Sequence, residues 1–142
     1  MRGPWAVAER CHLGVPMVIE NHPRLEDGSP FPTLYWLTCP ILRKRVSRLE
    51  SQGFMNELND RLQRDPDMRV RLEASIRRLV EQRDSHAVIP DAGAPPGGGP
   101  DKVKCLHAHV ATELVQRDDP AGSVSLALAG WPDCRRPCVE EP

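Results

Sequence analysis

The feature that most narrows the fold is a change of hydrophobic period at Thr38-Cys39-Pro40. Before it, Met17 to Glu20 and Thr33 to Leu37 are short runs rich in β-branched and aromatic residues, bounded by Pro and Gly, and they read as two short strands. Between them, Asn21 to Pro30 carries Asp27-Gly28 and two prolines, the chemistry of a long turn-rich loop. After it, Leu42, Val46 and Leu49 recur at i, i+4 and i+7, which puts them on one helix face. The expected class is therefore α+β: a small β and loop unit packed on four to five helices in a single domain.

The rest of the chain supplies those helices. Gly53 stops the first stripe, and Phe54 or Met55, Leu58 and Leu62 continue it in a second helix. Asp65-Pro66 reads as an N-cap followed by proline in the first turn, opening a third helix with the stripe Met68, Leu72, Ile76 and Leu79 or Val80. Residues 84–100 hold four Pro and four Gly, so they read as an arching loop that the fold should tolerate losing. Asp101 is the expected cap of a helix with Val103, Leu106, Val110 and Leu114 on its apolar face, and Asp119-Pro120 opens a last helix through Leu128. This places one domain at 1–131, followed by an irregular tail at 132–142. A chain of 142 residues supports one modest core of this kind, and no repeat at a solenoid period is present.

Charge and apolar runs exclude several functions. The formal net charge is -1, which gives no whole-molecule drive towards nucleic acid or anionic lipid. Unbroken aliphatic runs such as Val15 to Ile19 are too short for a spanning helix, and Met1 to Ala8 lacks the apolar stretch of a secretory signal, so a cytoplasmic location is expected. Arg43, Lys44, Arg45 and Arg48 make a basic helix face without interleaved aromatics, which reads first as a solvated face, with docking onto an acidic protein partner as open a reading as nucleic-acid binding. Phosphate-loop, dinucleotide, zinc-protease and nucleophile-elbow signatures are all missing.

The candidate chemistry lies in the thiols and imidazoles. Five cysteines form an odd set, which in a reducing compartment suits buried, metal-bound or reactive thiols better than a disulfide framework. Cys39 stands just before Pro40, where helix amide groups would favour a thiolate; the alternative is a small buried side chain beside Trp36 and Leu37. Cys105 and His109 are spaced i, i+4, towards one side of a helix, while His107 shares the stripe of Val103, Val110 and Leu114 and reads first as a core histidine. Cys11, Cys39 and Cys105 with His107 or His109 could complete a tetrahedral zinc site if the fold brings them together. Cys134 and Cys138 are open to three readings: a metal pair, a labile disulfide or, in first place, two unrelated thiols.

The stretches from Pro23 to Pro40 (Pro-Arg-Leu-Glu-Asp-Gly-Ser-Pro-Phe-Pro-Thr-Leu-Tyr-Trp-Leu-Thr-Cys-Pro) and from Val103 to His109 (Val-Lys-Cys-Leu-His-Ala-His) closely resemble the bacterial domain-of-unknown-function family 501, found largely in actinobacteria. The likeness runs from about Val7 to Trp131, including Val46-Ser47-Arg48-Leu49-Glu50 and Asp119-Pro120-Ala121-Gly122, where the family usually has an Asn-Pro-like pair. Members commonly begin earlier than this chain, which leaves an N-terminal strand in question. The resemblance implies a small cytoplasmic protein of unestablished activity, whose genes often lie near that of a septum-formation-initiator protein. Its pattern coincides with Cys11, Cys39, Cys105 and His107. Two functions follow as expectations: a non-enzymatic module with a Cys/His site that binds a protein partner, or a cysteine-dependent enzyme or redox protein with Cys39 as nucleophile and His107 or His109 as base.

Overall fold

The computed structural model describes residues 5–22, 34–86, 98–99 and 102–138. Three strands, β1 (Trp5–Arg10), β2 (Pro16–Asn21) and β3 (Tyr35–Leu37), form an antiparallel sheet in the order β1-β2-β3. The two expected strands are β2 and β3, and β1 is a third. An edge strand with its ends exposed needs little apolar alternation, so Trp-Ala-Val-Ala-Glu-Arg carried no clear period-two signal. The β1–β2 turn is tight: the Cys11 N–H donates to the Val15 carbonyl at 2.9 Å and the Gly14 N–H to the Cys11 carbonyl at 2.9 Å. Gly14 sits at φ +80°, a left-handed conformation that favours glycine.

Opposed residues share a face of the sheet, so Val18 with Leu37 and Glu20 with Tyr35 lie on one side, while Ile19 with Trp36 lies on the other. Val18, Tyr35 and Leu37 join the main apolar cluster. Tyr35 is the only tyrosine of the chain. Desolvation, reinforced by the nearby Glu20 and Asp118 charges and opposed by Arg78, pushes its hydroxyl up to about 12. A raised folded value means that the neutral phenol stabilises the fold fully below the unfolded value of about 10, and that this contribution is lost as pH rises towards 12. Phenolate absorbance in an alkaline titration should therefore appear well above the midpoint of the same chain in urea. Coincident midpoints would remove the burial argument.

The helices follow their start and stop signals. They are α1 (Pro40–Ser51), α2 (Phe54–Arg64), α3 (Pro66–His86), α4 (Leu106–Gln116) and α5 (Pro120–Ala129). Gly53, at φ +84°, separates α1 from α2, and its N–H donates to the Glu50 carbonyl. The Asp65 carboxylate accepts the Met68 N–H at 3.0 Å, and Asp119 accepts the Gly122 N–H at 2.9 Å, so both Asp-Pro pairs are caps as read.

The start of α4 corrects the sequence reading. Val103 is not in the helix. It lies in β5 (Lys102–Val103), paired with β4 (Gly98–Gly99), and Asp101 is outside the described residues. The Asn59 side chain takes both backbone groups of Val103, accepting its N–H at 2.7 Å and donating to its carbonyl at 3.1 Å. With that backbone already engaged and Cys105 extended at φ -149°, the helix ladder opens at Leu106. The segment expected to be irregular from 84 to 100 also shrinks, since α3 runs through His86; residues 87–97 are outside the described set.

Helix α4 is the centre of the domain, packed on α5, α1 and the sheet. Leu42, Leu58, Leu62, Leu72, Leu106, Val110 and Leu114 are fully buried, each contributing roughly 2 kcal/mol of apolar burial against the unfolded chain. The result is one α+β domain of five helices and a small sheet, with no helix among the described residues long and apolar enough to cross a membrane.

Candidate functional site

The two ends of α1 carry different chemistry. At its start, Cys39 is the N-cap residue, followed by Pro40, in the expected position. Its sulfur caps no amide, and the residue is only 8% exposed within the apolar cluster, so the small buried side chain describes it better than an accessible nucleophile. Cys11, Cys134 and Cys138 line the same small cavity as Cys39. All five cysteines are free thiols. Desolvation comes first in raising the Cys134 thiol, the Cys138, Cys39 and Cys11 charges add to it, and Arg45 pulls the other way.

Eleven residues further along, at roughly 16 Å along the axis, the other end of α1 presents Glu50. There Glu50, Cys105 and His107 offer a carboxylate oxygen, a sulfur and a ring nitrogen, all within 4.8 Å of one another, a group that could hold a metal ion. Each of the three is half-buried. The same atoms also have a hydrogen-bonded arrangement: Glu50 Oε2 accepts the Leu106 N–H at 3.0 Å, and Glu50 Oε1 lies 3.1 Å from His107 Nδ1. His107 Nε2 stands 3.2 Å from the Arg43 carbonyl and 3.1 Å from the Ser47 hydroxyl. Glu50 thus caps α4 from another helix, supplying the acceptor that Cys105 does not.

His107 and His109 exchange the roles read from the sequence. His109 is the core histidine, 2% exposed, and its Nδ1 lies 2.7 Å from Asp119 Oδ2. His107 is half-buried against α1. The reason is the true start of α4: with Leu106 as the first helical residue, the deepest stripe is Leu106, His109, Val110 and Leu114. The i, i+4 pairing of Cys105 with His109 fails for the same cause, because Cys105 precedes the helix. Cys11, Cys39 and Cys105, expected to converge with one of His107 or His109, do not share one site: Cys11 and Cys39 lie at one end of α1, Cys105 and His107 at the other, and His109 at the α4–α5 crossing.

A family model described as a protein of unknown function, DUF501, matches residues 7–127. The chain belongs to the DUF501 family. No curated protein and no solved structure matches it. The DUF501 match takes in Cys11, Cys39, Glu50, Cys105, His107 and His109 and ends before Cys134 and Cys138.

Glu50 is what sequence reasoning missed, along with the neighbourhood of the two C-terminal cysteines, which were left open between three readings. Glu50 sits at the end of the Val46-Ser47-Arg48-Leu49-Glu50 stretch, and only the packing of α1 against α4 shows that it faces Cys105 and His107. For Cys134 and Cys138 there was a signal, a Cys-x-x-x-Cys spacing. It pointed nowhere without the turn that sets Cys11 beside them.

Proposed function

We propose that this DUF501 protein is a non-enzymatic module that docks an acidic segment of a protein partner on the outer face of α1. One observation carries the reading: Arg43, Lys44 and Arg48 are exposed together on α1, and among the described residues no carboxylate pairs with any of them. The fourth basic residue, Arg45, is used internally, donating to the Gly130 carbonyl at 2.9 Å and tying α1 to the end of α5. Leu42 and Val46 are buried behind the basic face, so the charges project from a fixed support.

The cysteine-enzyme alternative lacks its second member. Cys39 is buried at the start of α1, His107 is engaged by Glu50, Ser47 and the Arg43 carbonyl, and His109 by Asp119. Neither of the two histidines expected to act as base stands beside the thiol, and His12, which lines the same cavity as Cys39, has its Nε2 held 2.7 Å from the Cys134 carbonyl. In the proposed module, Glu50, Cys105 and His107 suit a borderline-soft ion such as zinc, whose oxygen, sulfur and nitrogen ligands they can supply. A metal there would fasten the end of α1 to the start of α4, directly behind the docking face. The septum-forming machinery is the first place to seek the partner, as the family resemblance implies.

Fluorescence anisotropy tests the docking, with a labelled polyglutamate peptide and the purified soluble part of the septum-formation-initiator protein as probes. Reversing Arg43, Lys44 and Arg48 to Glu should weaken binding of either probe by about tenfold or more at low salt while leaving the melting temperature unchanged. Equal binding by the reversed variant would discard the α1 face. Binding of the peptide but not of the initiator protein would discard the septum link. For the metal, Cys105→Ser should reduce bound zinc by one equivalent; unchanged zinc content removes that site.

A further inference from the structure

Four of the five cysteines meet in one cavity. Cys11, Cys39, Cys134 and Cys138 line a space of about 20 Å³, walled otherwise by mainly apolar residues such as Val15, Met17 and Trp131 and by His12, whose Nε2 is engaged 2.7 Å from the Cys134 carbonyl. That space admits one occupant the size of a water molecule. A water would find few hydrogen-bond partners against such walls, whereas four sulfurs around one small void are the donor set of a soft or borderline cation.

Three separate pieces of chain deliver these sulfurs, and each is fixed by its own local structure. Cys11 opens the β1–β2 turn, and its sulfur accepts the Leu13 N–H at 3.4 Å, the kind of backbone contact that orients a thiolate ligand. Cys39 is held by the junction of β3 and α1, with the positive end of the helix behind it. Cys134 and Cys138 come from the irregular segment after α5, which is already tied to the turn because the His12 Nε2 lies 2.7 Å from the Cys134 carbonyl.

We propose that Cys11, Cys39, Cys134 and Cys138 form a closed tetrahedral site for one divalent zinc ion, with a structural role. This goes beyond the docking reading and does not depend on it. Binding is ligand exchange with no change of oxidation state: four sulfur–metal bonds form, the water molecules of the aqueous ion leave, and four thiol protons pass to solvent. Four protein donors leave no position for substrate, which is the mark of a structural zinc. The four cysteines line the cavity, yet no three of their sulfurs lie within 4.8 Å of one another, a spacing that the Glu50–Cys105–His107 group does reach. Zn–S bonds of about 2.3 Å require closer sulfurs. The 130–138 segment, which has no helix or strand, is the part that can draw inward. The ion would then fasten that segment to both the β1–β2 turn and the start of α1.

Cobalt substitution of the full chain, purified anaerobically with reductant, tests the site. One equivalent of Co²⁺ should produce intense thiolate-to-cobalt charge transfer and the visible bands of a tetrahedral all-sulfur complex. A Cys134→Ser/Cys138→Ser variant should lose most of that intensity and one equivalent of zinc, with its far-ultraviolet circular dichroism intact because neither residue lies in a helix or strand. Cys105→Ser should keep the bands in full. The proposal is overturned if no sulfur–cobalt bands appear, if the Cys134→Ser/Cys138→Ser variant retains them, or if Cys105→Ser abolishes them. The last result would place the metal at Glu50, Cys105 and His107 instead. As a second readout, limited proteolysis after Gly130 should be at least several-fold slower with zinc than with chelator in the unaltered chain, and equally fast in both states for the double serine variant.

Discussion

Gly122→Ala should destabilise the domain by about 3 kcal/mol, although alanine is the better helix former at almost any other helical position. The expected loss comes from space. A Cβ built on Gly122 would fall well inside contact distance of the His109 carbonyl oxygen and 2.7 Å from both the Glu113 Cβ and the His109 carbonyl carbon. Two of these three atoms belong to the backbone of α4, so no rotamer change relieves the overlap; α5 must move away from α4. That displacement would disturb the fully buried Ala121 and Ser125 on α5 and the neighbouring Val110 on α4. The intrinsic gain from replacing glycine, at most about 1 kcal/mol, is too small to offset it. Urea unfolding of the two proteins measures the difference. A loss under about 1 kcal/mol would show that the helices can separate cheaply and that the close crossing is not a constraint on the fold.

The same crossing shows where sequence reading reaches its end. Asp119-Pro120 was legible as a helix start because the cap is local: the carboxylate and the amide it accepts are three residues apart. Gly53 was legible as a stop for the same reason. Nothing local says that Gly122 must be small, since its φ is ordinary and only the neighbouring helix forbids a side chain. The thiols and imidazoles divide along the same line. Cys39 was placed correctly at its N-cap by Pro40, yet its neighbours Cys11, Cys134 and Cys138 come from a turn and a tail that no periodicity relates to it. His107 and His109 were exchanged because their faces depend on where α4 begins. That start is set by the Asn59 clamp on Val103 and the Glu50 cap on Leu106, both supplied by distant residues.

Of the polar groups in the core, Asp119 is expected to be the most costly to remove. Its carboxylate does two things at once: Oδ1 accepts the Gly122 N–H at 2.9 Å and caps α5, while Oδ2 lies 2.7 Å from His109 Nδ1. The two side chains are 3% and 2% exposed, so neither can turn to water if the other is lost. Asp119→Ala therefore removes a cap, worth about 1 kcal/mol, and leaves His109 buried with that partner gone. Together with the void, the expected loss is about 2 to 4 kcal/mol, from the lost cap, the lost buried hydrogen bond and the missing side-chain volume. Asp119→Asn keeps an oxygen for Gly122 and should lose clearly less. His109→Ala combined with Asp119→Ala should be milder than the sum of the single losses by about 1 to 3 kcal/mol, because the contact between the two side chains can be lost only once. Additive losses would mean that the two residues act separately, Asp119 as a cap alone and His109 as filling, and the 2.7 Å contact would then carry no coupling between α4 and α5.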